Sequence, residues 1–167
     1  MIKIIGAKGE IQNIDKFLKQ INNFSKKNNL LIQVFNADLI YGKNHLLSAY
    51  EHANRSFENK TNTTNSLEME ILLYASGDRQ IKIAIPKMGI NTGKSNIAFV
   101  FIAEKISKKI IEDLLSITCL SQDDKVIKGN LNTLKKFGIS ENEIKTITKE
   151  KYEDLILEKI AMVDIIK

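Results

Sequence analysis

The chain is short of cysteine, proline and long apolar runs, and two of these shortages exclude classes of function. Its single cysteine, Cys119, rules out a disulfide framework or a cysteine-built metal cluster and fits a reducing compartment. Cys119 lies in the apolar string Leu114–Leu120 with nothing nearby to favour the thiolate, so a buried, inert thiol is expected. The longest uninterrupted apolar stretch, Ile97–Ala103, falls far below the roughly 20 residues a membrane helix needs. Met1–Gly6 is too short an apolar run for a signal peptide and reads as a strand, so the expected location is cytoplasmic, without a membrane partner. One proline beside abundant Lys, Ile and Asn reflects an AT-rich genome and says nothing about function.

What is present describes an ordinary globular protein. The 167 residues are one domain's worth of sequence, enough to bury a real core, and 43% hydrophobic with 27% charged residues is the balance of a folded soluble chain. Net charge is +5, and its placement is informative. Residues 77–109 hold seven cations, Arg79, Lys82, Lys87, Lys94, Lys105, Lys108 and Lys109, against Asp78 and Glu104, a surplus of five that equals the whole chain's. A local excess of this kind attracts phosphate backbones, or is simply a solvated face.

Periodicity divides the chain into a compact α/β domain of the α+β type. Strands are expected at Ile2–Ala7, closed by Gly6 and Gly9, and at Leu30–Phe35. A second pair, Gln80–Ile85 and Ile97–Ala103, is expected to be antiparallel and joined by a Pro86–Asn96 loop. Asn13 caps a helix to about Ser25, Gly42 precedes one over Lys43–Phe57, and Asn59–Asn65 is a loop. Ser66 caps a helix ended by Gly77 and apolar nearly all round, which predicts burial. Further helices cover Ile106–Ser116, Leu131–Phe137, Glu141–Ile147 and Lys151–Ile166. The expectation is one domain over residues 1–167, with about four mostly antiparallel strands, about six flanking helices, and the helices from about 131 integral to it.

Catalytic motifs fail on spacing. Gly93-Lys94-Ser95 invites a phosphate-loop reading, but that motif needs four residues between its first Gly and the Gly-Lys pair; Gly89 leaves three, and the required position holds Met88. The strand-like Ile97–Phe101 follows where that motif needs a helix, so a hairpin loop is expected instead. His45 and His52 stand seven apart, roughly 10 Å along a helix, too far to share one zinc. No nucleophile elbow or Cys-His signal is present, and Glu68 and Glu70 point to different sides of a helix. No catalytic residue, metal site or cofactor is assigned.

The runs His45-Leu46-Leu47-Ser48-Ala49 and Glu70-Ile71-Leu72-Leu73-Tyr74-Ala75-Ser76-Gly77, then Arg79-Gln80-Ile81, Ala84-Ile85 and Gly89-Ile90, resemble one family. That family is the smallest accessory subunit of the KEOPS complex, the kinase-binding TPRKB family, in an archaeal type. The resemblance covers roughly Ile2–Leu120, and Glu70–Ile85 is its most specific part. It implies a non-catalytic subunit that docks on the kinase/ATPase subunit of KEOPS, reaches the threonylcarbamoyl transferase indirectly, and recruits tRNA by its CCA end for threonylcarbamoyladenosine synthesis beside the anticodon. Binding a tRNA end needs cations for phosphates and flat groups for unstacked bases. Candidates are the cations Arg79, Lys82, Lys87 and Lys94, with Gln80 able to hydrogen-bond a base edge, and Tyr74 if it faces outward rather than into the core. The helical row His45, Ser48, His52 and Arg55 is a second candidate, or a plain solvated face. For Arg79 and Gln80 the alternative is that they satisfy the end of the Leu67–Ser76 helix. The rival functions are a purely structural adaptor of the kinase and, on Gly93-Lys94-Ser95 alone, a small nucleotide-binding enzyme.

Overall fold

A computed structural model describes residues 1–166; residue 167, the last of the expected domain, lies outside them. Four antiparallel strands form one sheet in the order β2-β3-β1-β4. β1 (Ile2–Ile11) pairs with β3 (Gly93–Ile102) over ten residues, from Ile2 opposite Ile102 to Ile11 opposite Gly93. β2 (Leu31–Asn36) pairs with β3 on its other side, and the two-residue β4 (Ser121–Gln122) pairs with Ala7 and Lys8. β3 is central and covered on both faces, which is why Ile97–Phe101 is one apolar run instead of an alternation.

Each face of the sheet carries its own core. On one, α1 (Ile14–Lys27) and α5 (Lys108–Thr118) bury Phe17, Ile21, Ile111 and Leu114 against Ile5, Ile32, Phe99 and Phe101. On the other, α2 (Gly42–Glu58), α3 (Leu67–Ser76) and α4 (Ile81–Met88) cover Ile4, Phe35, Ala98 and Val100. The C-terminal helices α6 (Leu131–Phe137), α7 (Glu141–Lys145) and α8 (Tyr152–Ile166) pack into this second core through Leu134, Ile144, Ile156, Ile160 and Val163. The expected α+β class agrees with this architecture.

α3 forms as expected. The Ser66 hydroxyl accepts from the Met69 N–H at 3.3 Å, Gly77 closes the helix at φ +70°, and Glu70 to Ser76 are all buried. Buried Glu70 turns inward and fastens the preceding loop. Its carboxylate accepts from the Thr63 and Thr64 N–H groups, the Thr64 hydroxyl (2.8 Å) and the Ser56 hydroxyl (3.2 Å).

Four expectations are corrected. Gln80–Ile85 is not a strand: α4 occupies Ile81–Met88, with Ala84 and Met88 buried against α3 and Ile83 exposed, and β4 supplies the fourth strand. Gly93-Lys94-Ser95 opens β3 opposite Glu10 and Ile11, so it is neither a hairpin loop nor a phosphate loop. β1 runs through Gly6 and Gly9 to Ile11. A Cβ on Gly6 would lie 2.6 Å from the Asp123 carbonyl oxygen and one on Gly9 2.6 Å from Leu120 Cδ2, so these glycines admit the returning 119–124 segment. Cys119 is exposed, not buried, because it leaves α5 as a left-handed cap at φ +56°.

Candidate binding surface

Two groups that are separate in sequence meet at the last turn of α8. His52 and Arg55 lie on one side of α2, three residues apart and so on neighbouring positions of the helix. His52 Nδ1 is 2.6 Å from Asp164 Oδ2, and Arg55 Nη2 approaches the same ring nitrogen at 3.1 Å. The Tyr74 hydroxyl donates to the other oxygen of Asp164, and the His52 ring tilts over Tyr74 with centroids 5.5 Å apart. From the α3–α4 turn, the Arg79 guanidinium donates to the carbonyl of Ile166, one of the C-terminal carbonyls that α8 cannot satisfy itself. Beside this junction is a polar concavity of about 560 Å³, lined by His52, Arg55, Asn59, Thr61, Thr63 and Asp164. Met162, Ile165 and Ile166 are exposed on the same turn.

The proposed side chains divide accordingly. Arg55, Arg79, Gln80 and Lys82 are exposed, with Gln80 and Lys82 at the start of α4 next to Arg79. Lys94 is exposed but stands apart, at the start of β3 opposite Glu10. Tyr74 is fully buried, so it cannot stack on a base; the apolar surround of α3 draws its ring into the core and Asp164 satisfies its hydroxyl. His45 is likewise not a surface residue. Its Nδ1 accepts from the Tyr41 N–H at 3.0 Å and its Nε2 donates to the Ala75 carbonyl at 2.8 Å, tying α2 to α3. Both bonds use the neutral ring, and burial pushes the imidazole pKa down to about 4. Lys87 also leaves the cationic set. Its ammonium donates to the Ser76 carbonyl at 2.6 Å, pairs with Asp78 at 3.3 Å and sits 4.0 Å over the Phe137 ring, and burial lowers its pKa.

Asp164 and the exposed turn of α8 were not among the sequence candidates. The legible sign was that Met162, Ile165 and Ile166 extend the apolar content of α8 beyond the buried stripe Leu155, Ile156, Ile160 and Val163. Among the described residues no group of three or more His, Cys, Asp or Glu is placed to hold a metal, and no helix is long and apolar enough to cross a membrane.

Fold and surface together define an α+β protein in which His52, Arg55 and Arg79 gather at the end of α8. The family model described as "Kinase binding protein CGI-121" matches residues 9–164. The "Regulatory protein Cgi121" of Methanocaldococcus jannaschii is 32% identical over 152 residues, covering 89% of this chain and 93% of that protein. The chain belongs to the CGI-121 family of kinase-binding proteins.

Proposed function

We propose that this chain is a non-catalytic subunit of the KEOPS complex that binds the kinase/ATPase subunit and recruits tRNA by its CCA end for threonylcarbamoyladenosine synthesis. The observation that carries the RNA part is the junction at α8. There Arg55 and, across the turn, Arg79 and Lys82 supply charge for phosphates, while Asn59, Thr61 and Thr63 offer hydrogen-bonding groups around a concavity of about 560 Å³. The flat groups available for unstacked bases are the Arg55 guanidinium and the partly exposed His52 ring, not Tyr74. Family membership supports the kinase partner. The transferase is then reached through the kinase.

The burial of Tyr74 and His45 favours a second reading, an adaptor that holds the kinase without touching RNA. Gel shift with intact tRNA and with tRNA lacking its terminal CCA separates the two. The RNA reading predicts that intact tRNA binds, trimmed tRNA binds at least tenfold more weakly, and Arg79→Ala lowers the log-log salt slope by roughly 0.7 to 0.9 while kinase association persists. Equal binding of both tRNAs, or none of either, leaves the adaptor. Because Arg79 also caps α8, a thermal melt of the variant accompanies the assay, and parallel loss of tRNA binding, kinase binding and stability assigns Arg79 a structural role.

A further inference from the structure

An apolar concavity lies away from α8, along the outer edge of β2. This groove of about 570 Å³ is walled by Leu18 and Ile21 of α1 on one side and by Met69 and Leu72 of α3 with Ile85 of α4 on the other. Its floor is formed by Ile32, Gln33 and Val34. Consecutive strand residues point to opposite faces, so a cavity touching all three views β2 from its side rather than from a face of the sheet.

That side is unpaired. β2 ends the sheet and pairs with β3 alone, and in an antiparallel pair alternate residues direct their N–H and C=O groups away from the partner. Among the described residues the only further bond to the β2 backbone is from the Gln33 amide to the Val34 carbonyl, 3.1 Å. Leu18 and Ile85, which flank the opening, are 41% and 44% exposed. Glu68 lines this groove and also a second concavity of about 460 Å³ that continues past Lys26 to Leu31 and Ile102. Its carboxylate therefore stands partway along a channel beside Leu31–Val34 of β2, with no ion pair among the described residues.

We propose that this channel receives an extended segment of a partner polypeptide, which adds to β2 as a further strand. Apolar side chains of the segment fill the space between α1 and α4, and one Lys or Arg meets Glu68. The backbone groups select an extended chain, since a helix satisfies its own and offers β2 nothing. Charge selects the sequence: an apolar groove with one unmatched carboxylate complements a single cation. It also disfavours pairing between two copies of β2, because Leu31–Asn36 itself brings no cation to Glu68.

The test pans the full chain against a library of random ten-residue peptides and measures amide hydrogen exchange with the peptides selected. Expected are peptides alternating apolar and polar residues around a central Lys or Arg, slowed exchange at residues 31–36, and about tenfold weaker binding by Glu68→Lys. Because Glu68 lies in the first turn of α3, the surface variant Leu18→Lys provides a second, independent loss of binding. Absence of enrichment, peptides with helical periodicity, protection elsewhere than β2, or binding unaffected by either variant overturns the proposal. So does sedimentation as a dimer with residues 31–36 protected in the absence of peptide.

Discussion

His45 shows how a residue that looks functional serves the fold. As a neutral ring it gives the Tyr41 N–H an acceptor and the Ala75 carbonyl a donor, and protonation would set an Nδ1–H against another N–H. Its folded pKa of about 4 lies below the ordinary 6.5, so the unfolded chain takes up the proton first as pH falls. The stability His45 confers is complete above pH 6.5, declines between pH 6.5 and about 4, and amounts to about 3 kcal/mol across that window. Chemical denaturation as a function of pH is expected to show this slope in the native chain. In His45→Phe the slope disappears, and the variant is less stable at neutral pH by about 2–4 kcal/mol because two buried backbone groups lose their partners. Glu143 is held down to about 2 by the Lys159 ammonium and by the Ser140 N–H and hydroxyl, so its contribution is lost only as pH falls below about 4.5, leaving the His45 window separable. A slope unchanged in His45→Phe would contradict the account.

At the scale of elements, α4 is the informative case. In Ile81-Lys82-Ile83-Ala84-Ile85 the isoleucines alternate as in a strand and Pro86 follows as a stop, so period-2 reasoning selects a strand with Ile83 inward and Ala84 outward. Tertiary packing selects the helix instead, placing Ala84 and Met88 against α3 and leaving Ile83 and Ile85 in solvent. Ala84→Asp is therefore expected to lower stability by about 3 kcal/mol or more, and Ile83→Asp by no more than about 0.5 kcal/mol, both read by thermal melting. The reverse order would restore the strand. Elsewhere local signals sufficed. Asn13, Ser66 and Gly77 mark helix ends because capping is settled by near neighbours in sequence. The exposure of Cys119 was not legible, since it depends on a left-handed residue at the end of α5 that no glycine announces. Of the sequence candidates, Arg55, Arg79, Gln80 and Lys82 are exposed, as polar residues at a helix surface and a turn are expected to be. Asp164, which joins α2 and α3 to α8, was not, because it acts across 112 residues to His52 and 90 to Tyr74.

At the scale of the molecule, one face of the sheet and one of its edges carry different surfaces. The α2–α3–α8 side presents the polar junction, while the open edge of β2 presents an apolar channel between α1 and α3. On the proposed reading, an RNA and a protein segment are held at separate places. The kinase of the same complex provides the direct test of the central claim, that this chain joins kinase and tRNA. Affinity of the purified kinase subunit for intact and CCA-trimmed tRNA is measured by fluorescence anisotropy, with and without a saturating amount of this chain. The account predicts that the chain tightens binding of intact tRNA at least tenfold and leaves trimmed tRNA unchanged. Equal affinity for intact tRNA in the presence and absence of the chain would contradict it.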